Sequence, residues 1–540
     1  MKKLMDSALS RRTFLGGTAA AAALGLAACG GGETSSNTGS GTASGGTEGG
    51  GTITAGSAYS TQNYDPSSTS SALALGTNWH VVEGLYGLDY HDYTTFPELA
   101  TGDPTSIDDT TFEITLRADA KFSDGTPVTA DDVVESFNKA NAEGNVYVAM
   151  LTPIASVEKK DDSTVTVKTT IPNFSLLKER LAIVRVVPAT STKDDMTAKP
   201  IGSGPWMYDS ISDNVVELVP NPNYNGEHPA KDAKIHYDIL KDNTARLTAQ
   251  QDGSTLVMEA VGPDAVEQIK AAGCNVDTVQ GFGTRFLMFD VKKAPWDNVK
   301  VRQAVMYALN YDQIIANAFS GLAEAPSCYL PETFANYHKA STVYTYDADK
   351  AKSLLSESGV TPGDVTLLTT DNAEVKAMAT QVKQDLDAIG FNVTIQTDTS
   401  PATYATIDND AKEGKYTYDI LLAPGDPSCF GADPDLLLNW WYGADLWMQT
   451  RCPWKDSAEW AKLKELMDQA LAATGDDQQT AWNECFDIIA ENAVLYPVVH
   501  VQTSTAYWGD TPTANGESVK GFKGIGTTGM SFIDVTTVKA

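Results

Sequence analysis

Strand-like and helix-like segments alternate along this chain, and the alternation predicts an α/β fold of packed layers. Two further observations support that class. The composition, 42% hydrophobic and 9% aromatic, is that of a filled globular core. About 490 residues follow a low-complexity opening segment, a length that suggests about two to four domains. The sequence shows no internal repeat and no second low-complexity segment.

Thr111–Leu116 alternates in polarity and reads as a strand. Ser123-Asp124-Gly125-Thr126 is a turn, with Gly125 supplying a backbone angle that other residues resist. Thr129 caps a helix that carries Val133, Val134 and Phe137, and Asp132 at the third helical position completes a capping-box pattern. Val299 to Phe319 holds helical apolar spacing. Asp347 to Ser358 is a helix that Gly359 ends, and Glu374 to Ile389 is another that Gly390 ends. Phe391–Ile395 follows as a strand. Ser457–Ala472 and Asp476–Asn492 are two more helices, and Leu495–Val501 is an apolar strand.

The first fifty residues predict where the protein works. Ser10-Arg11-Arg12-Thr13-Phe14-Leu15 carries an arginine pair that resembles the twin-arginine export signal. The small apolar run Gly16 to Ala28 is too short to span a hydrocarbon core of about 30 Å at 1.5 Å per helical residue. A positive start, a short apolar middle and a small-residue end describe a secretory signal over residues 1–28. Leu26-Ala27-Ala28-Cys29 resembles a bacterial lipobox, which implies that Cys29 is acylated and becomes the first mature residue. Gly30 to Gly51 is almost entirely Gly, Ser, Thr, Asn and Glu, so residues 29–51 are expected to form a flexible tether spanning very roughly 25 Å. The protein is therefore expected to be exported and held by lipid on the outer face of the cell membrane, in a periplasmic space or at the cell surface.

Charge narrows the partners. The formal net charge is −31. Cleavage before Cys29 removes a net +3 and leaves about −34. So acidic a body argues against nucleic acid, or an anionic membrane surface, as a partner met through a basic patch. The histidines, His80, His91, His228, His236, His338 and His500, are scattered. The sequence has no His-Glu-x-x-His zinc motif, no Gly-x-Ser-x-Gly elbow and no phosphate-binding Gly-Lys loop.

A whole-chain resemblance runs from Thr52 to Val538. Phe112–Arg117 through Lys121-Phe122-Ser123-Asp124-Gly125-Thr126-Pro127-Val128-Thr129-Ala130-Asp131-Asp132-Val133 closely resembles the signature of the bacterial extracellular solute-binding proteins of family 5, the peptide- and nickel-type receptors of ABC importers. Tyr64-Asp65-Pro66, Ile201–Trp206, Asn221-Pro222-Asn223-Tyr224, Ala245–Ala249, Ala294–Ala304, Ala351–Leu355 and Gly521-Phe522 follow in the family's order. Most of these residues are expected to have structural roles: Asp124-Gly125 makes a turn, and Arg302 pins a helix by an ion pair.

The resemblance implies a two-lobed periplasmic-binding-protein-like fold with an additional inserted domain and a ligand cleft between the lobes. Lobe I would take 52–89, 203–284 and 503–540, the inserted domain 90–202, and lobe II 285–502. The crossings would fall near Gly281-Phe282-Gly283 and Val499-His500-Val501, where glycines suit a hinge. The resemblance also implies a monomer that is not an enzyme and uses no cofactor or metal. It would capture a di- or oligopeptide and deliver it to a membrane permease and its ATPase. A receptor of the same fold for a nickel chelate, an oligosaccharide or another solute, or a peptide sensor without transport, are the alternatives.

In the family's peptide receptors an aspartate of the second lobe pairs with the peptide's α-amine. Here Tyr418 to Pro427 ends a strand in that region, which brings forward Gly425 and Asp426. Asp433-Pro434 resembles the family's downstream Asp-Pro, after a longer segment, Ser428 to Ala432. Asp426 is favoured and Asp433 is the alternative. Trp440, Trp441, Trp447, Trp454 and Trp460 crowd the same region. Aromatics lining a pocket accept side chains or sugar rings, so Trp440 and Trp441 are candidate ligand contacts, although one of two adjacent residues must face the core. Five cysteines follow Cys29, and outside the membrane disulfides persist. Cys429 and Cys452 flank the Trp-rich segment, where a bridge would brace a pocket wall; Cys328 with Cys485 is a second pairing, and connectivity is not readable from sequence.

Overall fold

The computed structural model describes residues 47–540. The leader, Arg11 and Arg12, Cys29 and the tether up to residue 46 lie outside the described residues. The last part of the expected tether is tied down. Thr47–Glu48 pairs antiparallel with the C-terminal strand Thr536–Lys539. The Gly49 N–H donates to the Thr537 carbonyl at 2.9 Å, and the Gly51 N–H donates to Asp232 Oδ1 at 3.1 Å. Residues 47–51 therefore belong to the folded body, because strand pairing needs only backbone groups, which small residues supply as well as large ones.

The main sheet has eleven strands. Five of them fix the site: β1 (Thr52–Ser57), β2 (Asn275–Phe289), β3 (Asp364–Thr370), β4 (Ile420–Gly425) and β5 (Leu495–Tyr507). At 15 and 13 residues, β2 and β5 are long enough to serve two half-sheets. They pair antiparallel along their length, with breaks in register between Gln280 and Thr284 and between Arg285 and Phe286. Before the break, Tyr507 and Ala506 of β5 pair with Val257–Met258, which runs parallel to β1. After it, β2 pairs antiparallel with β4, and β4 pairs parallel with β3. The apolar run of β5 thus continues through polar residues to Tyr507, since Gln502 and Thr503 still find partners in Gln280 and Val279. At the break a Cβ on Gly281 would lie 1.7 Å from the Gly526 carbonyl oxygen, so only glycine fits there.

Two hydrophobic cores match this division. One surrounds β1, with Ile53, Leu218 and Phe532 fully or almost fully buried. The other runs from the residues before and after helix Ala130–Ala140 into β2, β4 and β5, through Phe137, Phe286, Leu422 and Val498. A separate four-stranded antiparallel sheet of Thr105–Asp108, Thr111–Thr115, Thr164–Thr169 and Ile154–Asp161 builds the body of residues 90–202. Its helix starts as the sequence predicts: the Thr129 N–H donates to Asp132 Oδ2 at 2.8 Å, and Gly125 takes φ +89° in the turn before it. The helical spacing over 299–319 is divided between Val299–Ala308 and Tyr311–Phe319. Asn310 separates them by capping the second helix, and Asp385 holds its N–H at 2.8 Å. Arg302 pins the first of the two helices not by the expected ion pair but by donating to the Asn492 carbonyl at 2.8 Å and the Trp296 carbonyl at 2.7 Å. The result is a two-lobed α/β fold with an additional domain. Among the described residues no helix is long and apolar enough to cross a membrane.

Candidate functional site

β4 pairs with β2 so that Gly425 lies opposite Thr284 and Pro424 opposite Arg285. Successive side chains of a strand point to opposite faces. Arg285, Pro424 and Asp426 therefore share one face, while Phe286 and Gly425 face the other way. Packing agrees on both faces. A Cβ on Gly283 would lie 3.6 Å from Asp426 Oδ2, and one on Gly425 would lie 2.4 Å from Trp441.

Asp426 closes β4 and opens a short 3₁₀ turn, Pro427–Phe430. Its Oδ1 accepts from the Ser428 N–H at 3.0 Å and the Ser428 hydroxyl at 2.6 Å. Its Oδ2 accepts from the Thr527 hydroxyl at 3.1 Å, and Thr527 lies on the C-terminal segment that returns to the β1 core. The carboxylate thus ties the end of β4 to the C-terminal segment. Burial pushes its carboxyl above the usual range, while the Ser428 and Thr527 donors and the Arg285 charge pull the other way.

Arg285, diagonal to Asp426 on the same face, donates from Nε to Glu374 Oε2 at 3.0 Å and from Nη2 to the same oxygen. Both residues line a cleft with about 670 Å³ of space for solvent, which Tyr59, Arg246 and Gly262 close from the β1 side. A separate cavity of about 20 Å³, room for about one water, lies among Trp79, Tyr90, Tyr147, Arg185 and Phe430. Phe430 lines it, edge-on to Tyr147 at 5.1 Å. Tyr93, in the turn between strands Tyr86–Leu88 and Thr95–Pro97, reaches across to Phe334 at 6.2 Å.

The structure gives the other candidates different work. Asp433 caps helix Pro434–Leu438 and binds Arg180, at 2.8 Å to Nη1 and 2.6 Å to Nη2. Arg180 also meets Asp435 at 2.8 Å. In this triad Arg180 is 0%, Asp435 1% and Asp433 11% exposed, so Asp433 is occupied in a buried ion cluster that joins helix Leu177–Ala182 to helix Pro434–Leu438. Burial pushes the guanidinium down, and the two carboxylates more than reverse this. Gly425 acts by lacking a side chain, since Trp441 fills that space. Trp441 is a core residue, 2% exposed, packed edge-on against Phe286 at 5.0 Å and Trp447 at 4.5 Å. Trp440 is half-buried and stacks on Phe430 at 5.7 Å.

Neither expected disulfide is formed: Cys328, Cys429, Cys452 and Cys485 are free and buried. Cys429 Sγ turns to the Asp426 carbonyl at 3.7 Å, and Cys452 Sγ to the Val494 carbonyl at 3.6 Å. Burial pushes both thiols well above the usual range.

Sequence reasoning missed Thr527, Tyr93, Arg285 and Glu374. Only Arg285 carried a signal, as the one charge within the apolar stretch Phe282 to Phe289.

A provisionally named ABC transporter peptide-binding protein of Brucella ovis is 31% identical over 329 residues, covering 57% of this chain and 61% of that protein; the chain thus spans about three fifths of the length of this relative. Heme-binding protein A of Haemophilus influenzae is 28% identical over 444 residues, covering 75% of this chain and 78% of that one. Among solved structures, the ABC transporter-associated periplasmic binding protein DppA of Helicobacter pylori, in complex with the peptide STSA, superposes with a TM-score of 0.77 at 21% identity, over 91% of this chain and 99% of that chain. The family model of the bacterial extracellular solute-binding proteins, family 5, matches residues 94–447, and the chain belongs to that family.

Proposed function

We propose that this protein is the substrate-binding lipoprotein of an ABC importer and that its ligand is a short peptide held between the lobes. The observation that carries the reading is the placement of Asp426. Its carboxylate lies at the end of β4, is bonded from both lobes through Ser428 and Thr527, and shares a sheet face with Arg285, which lines the open cleft. A peptide's ammonium would exchange hydration for a charge-assisted bond there, short and about twice as strong as a neutral one. Two of the three similar proteins described above carry peptides in their names or complexes.

In this reading lobe I comprises 52–89, 203–284 and 503–540, the inserted domain 90–202 and lobe II 285–502, with the hinge where β2 and β5 lose register. Residues 47–51 extend lobe I. Acylated Cys29 holds the protein on the outer face of the membrane, and a permease and its ATPase receive the peptide from the monomer. Ligand closes the lobes by binding the closed form better.

Native mass spectrometry of protein purified from cells, followed by melting scans with a defined di- to pentapeptide mixture, tests the reading. Peptide in the cleft and a raised melting point support it. A shift with heme, nickel chelates or oligosaccharides, and none with peptides, overturns it. The name of the Haemophilus relative makes heme the solute to include in that panel.

A further inference from the structure

We propose that Tyr93 is a ligand-contacting residue of the cleft, and that its hydroxyl donates a hydrogen bond to the first carbonyl oxygen of a ligand whose ammonium sits on Asp426. The proposal rests on the peptide reading given above.

The backbone gives the first observation. Tyr93 has φ +61°. Hairpin turns that need this left-handed conformation ordinarily use Gly, Asn or Asp, and a bulky aromatic there is a steric outlier. Such strain persists where the surroundings over-determine it, and it collects at functional sites. The neighbours show what holds it. Asp89 accepts the Tyr93 N–H at 2.7 Å through its carbonyl, and Asp92 Oδ1 accepts from the Thr94 N–H at 2.9 Å, so the turn is fixed on both sides of the tyrosine.

The ring gives the second. It leaves its own hairpin and packs against Phe334 of the second lobe, at 6.2 Å. Tyr93 therefore spans the line along which the lobes meet.

The hydroxyl gives the third. It is buried and has no hydrogen-bond partner. The nearby Ser428 hydroxyl gives its hydrogen to Asp426 at 2.6 Å. Burial first, and the Asp426 carboxylate second, push the Tyr93 phenol upward against a smaller pull from the adjacent Ser428 side chain, so it stays protonated and able to donate. A donor thus stands beside an acceptor, Asp426. The first residue of a peptide presents the complementary pair, an ammonium and a carbonyl oxygen three covalent bonds apart. A neutral sugar offers acceptors to Tyr93 but no cation to Asp426.

Tyr93→Phe is the test, because it keeps the ring and its packing. Satisfying a buried hydroxyl contributes about one ordinary hydrogen bond, so the variant should bind a retained member of the di- to pentapeptide mixture about three- to tenfold more weakly. The ligand-free protein should melt at the same or a higher temperature, since an unpartnered buried hydroxyl is a cost that phenylalanine removes. A structural role alone would lower the melting point and leave affinity unchanged. Wild-type affinity in Tyr93→Phe would mean the hydroxyl is served by solvent, and would overturn the proposal. If the wild type retains no peptide, the peptide reading has failed; the same comparison then uses heme and nickel–histidine as probes, and equal binding by both proteins overturns the role of Tyr93 as well.

Discussion

Asp426 and Asp433 look alike to their immediate neighbours. Each precedes a proline, each caps a helical turn, and each accepts from a backbone N–H two or three residues on. Sequence could bring both forward and favour Asp426 by its place at the end of a strand, but what decides between them lies far away in the chain. Asp433 is claimed by Arg180, and Asp426 meets Thr527 and, on the adjacent strand, Arg285. The two should therefore respond oppositely in a mutant cycle. Breaking one partner of a desolvated pair costs roughly 3–5 kcal/mol. At 1.4 kcal/mol per decade, Asp426→Asn should weaken peptide binding by on the order of a hundredfold to several thousandfold. Acetylating the peptide's amine should do similar damage to the wild type and little more to the variant, since coupled partners fail to add. Isothermal titration of the four combinations reads this directly, and equal losses in both proteins would clear Asp426 of the role. Asp433→Asn should show no coupling to the amine. A pH dependence accompanies the cycle. Burial raises the Asp426 carboxyl in the empty protein, against the pull of Ser428, Thr527 and Arg285, with Glu374, Tyr93 and Cys429 also nearby. Ionising it then costs stability once pH passes the raised value, and the cost is relieved as pH falls. A cationic ligand needs the ionised form. Affinity should hold at neutral pH and decline on acidification before ordinary carboxylates titrate, and the decline should vanish in Asp426→Asn.

Elements were legible where their signals are local. The capping box at Thr129, the glycine stops at Gly359 and Gly390, and the strand Thr111–Thr115 all stand where sequence put them. The Trp-rich segment was not legible. Asn439–Gly443 and Leu446–Arg451 wind as wide π turns, and packing of Trp441 and Trp447 against each other and Phe286 decides their shape. The ion triad was equally hidden, since helix Leu177–Ala182 and helix Pro434–Leu438 meet only in the folded chain. Asp435 is further tied by Asn439 Nδ2 at 2.6 Å. Arg180→Met should cost about 3–5 kcal/mol, because it leaves two carboxylates buried without a cation. Urea unfolding measures it. A loss under about 1 kcal/mol would show that the carboxylates rehydrate freely. Asp433→Asn should cost less, as Arg180 keeps Asp435.

At the scale of the whole molecule, the family motifs foretold two lobes and an additional domain, because they are long, ordered and spread over the chain. Gly281 has a local cause in the closeness of Gly526, which leaves no room for a side chain. The end of the tether was misjudged, since a run of Gly and Thr gives no hint that a distant C-terminal strand will pair with it. Localisation has its own test. Cys29→Ser should move the protein from the membrane fraction to the soluble one in a fractionation blot; retention on membranes would mean that something other than acylation holds it.

The triad of Arg180, Asp433 and Asp435 also has a thermal signature. Hydration of charge weakens as temperature rises, because ordering water around an ion carries a negative entropy, while apolar burial gains little more per unit area. The seam where these three charges leave water should therefore hold better in the warm, relative to the apolar contacts of Tyr147 and Phe430 beside it.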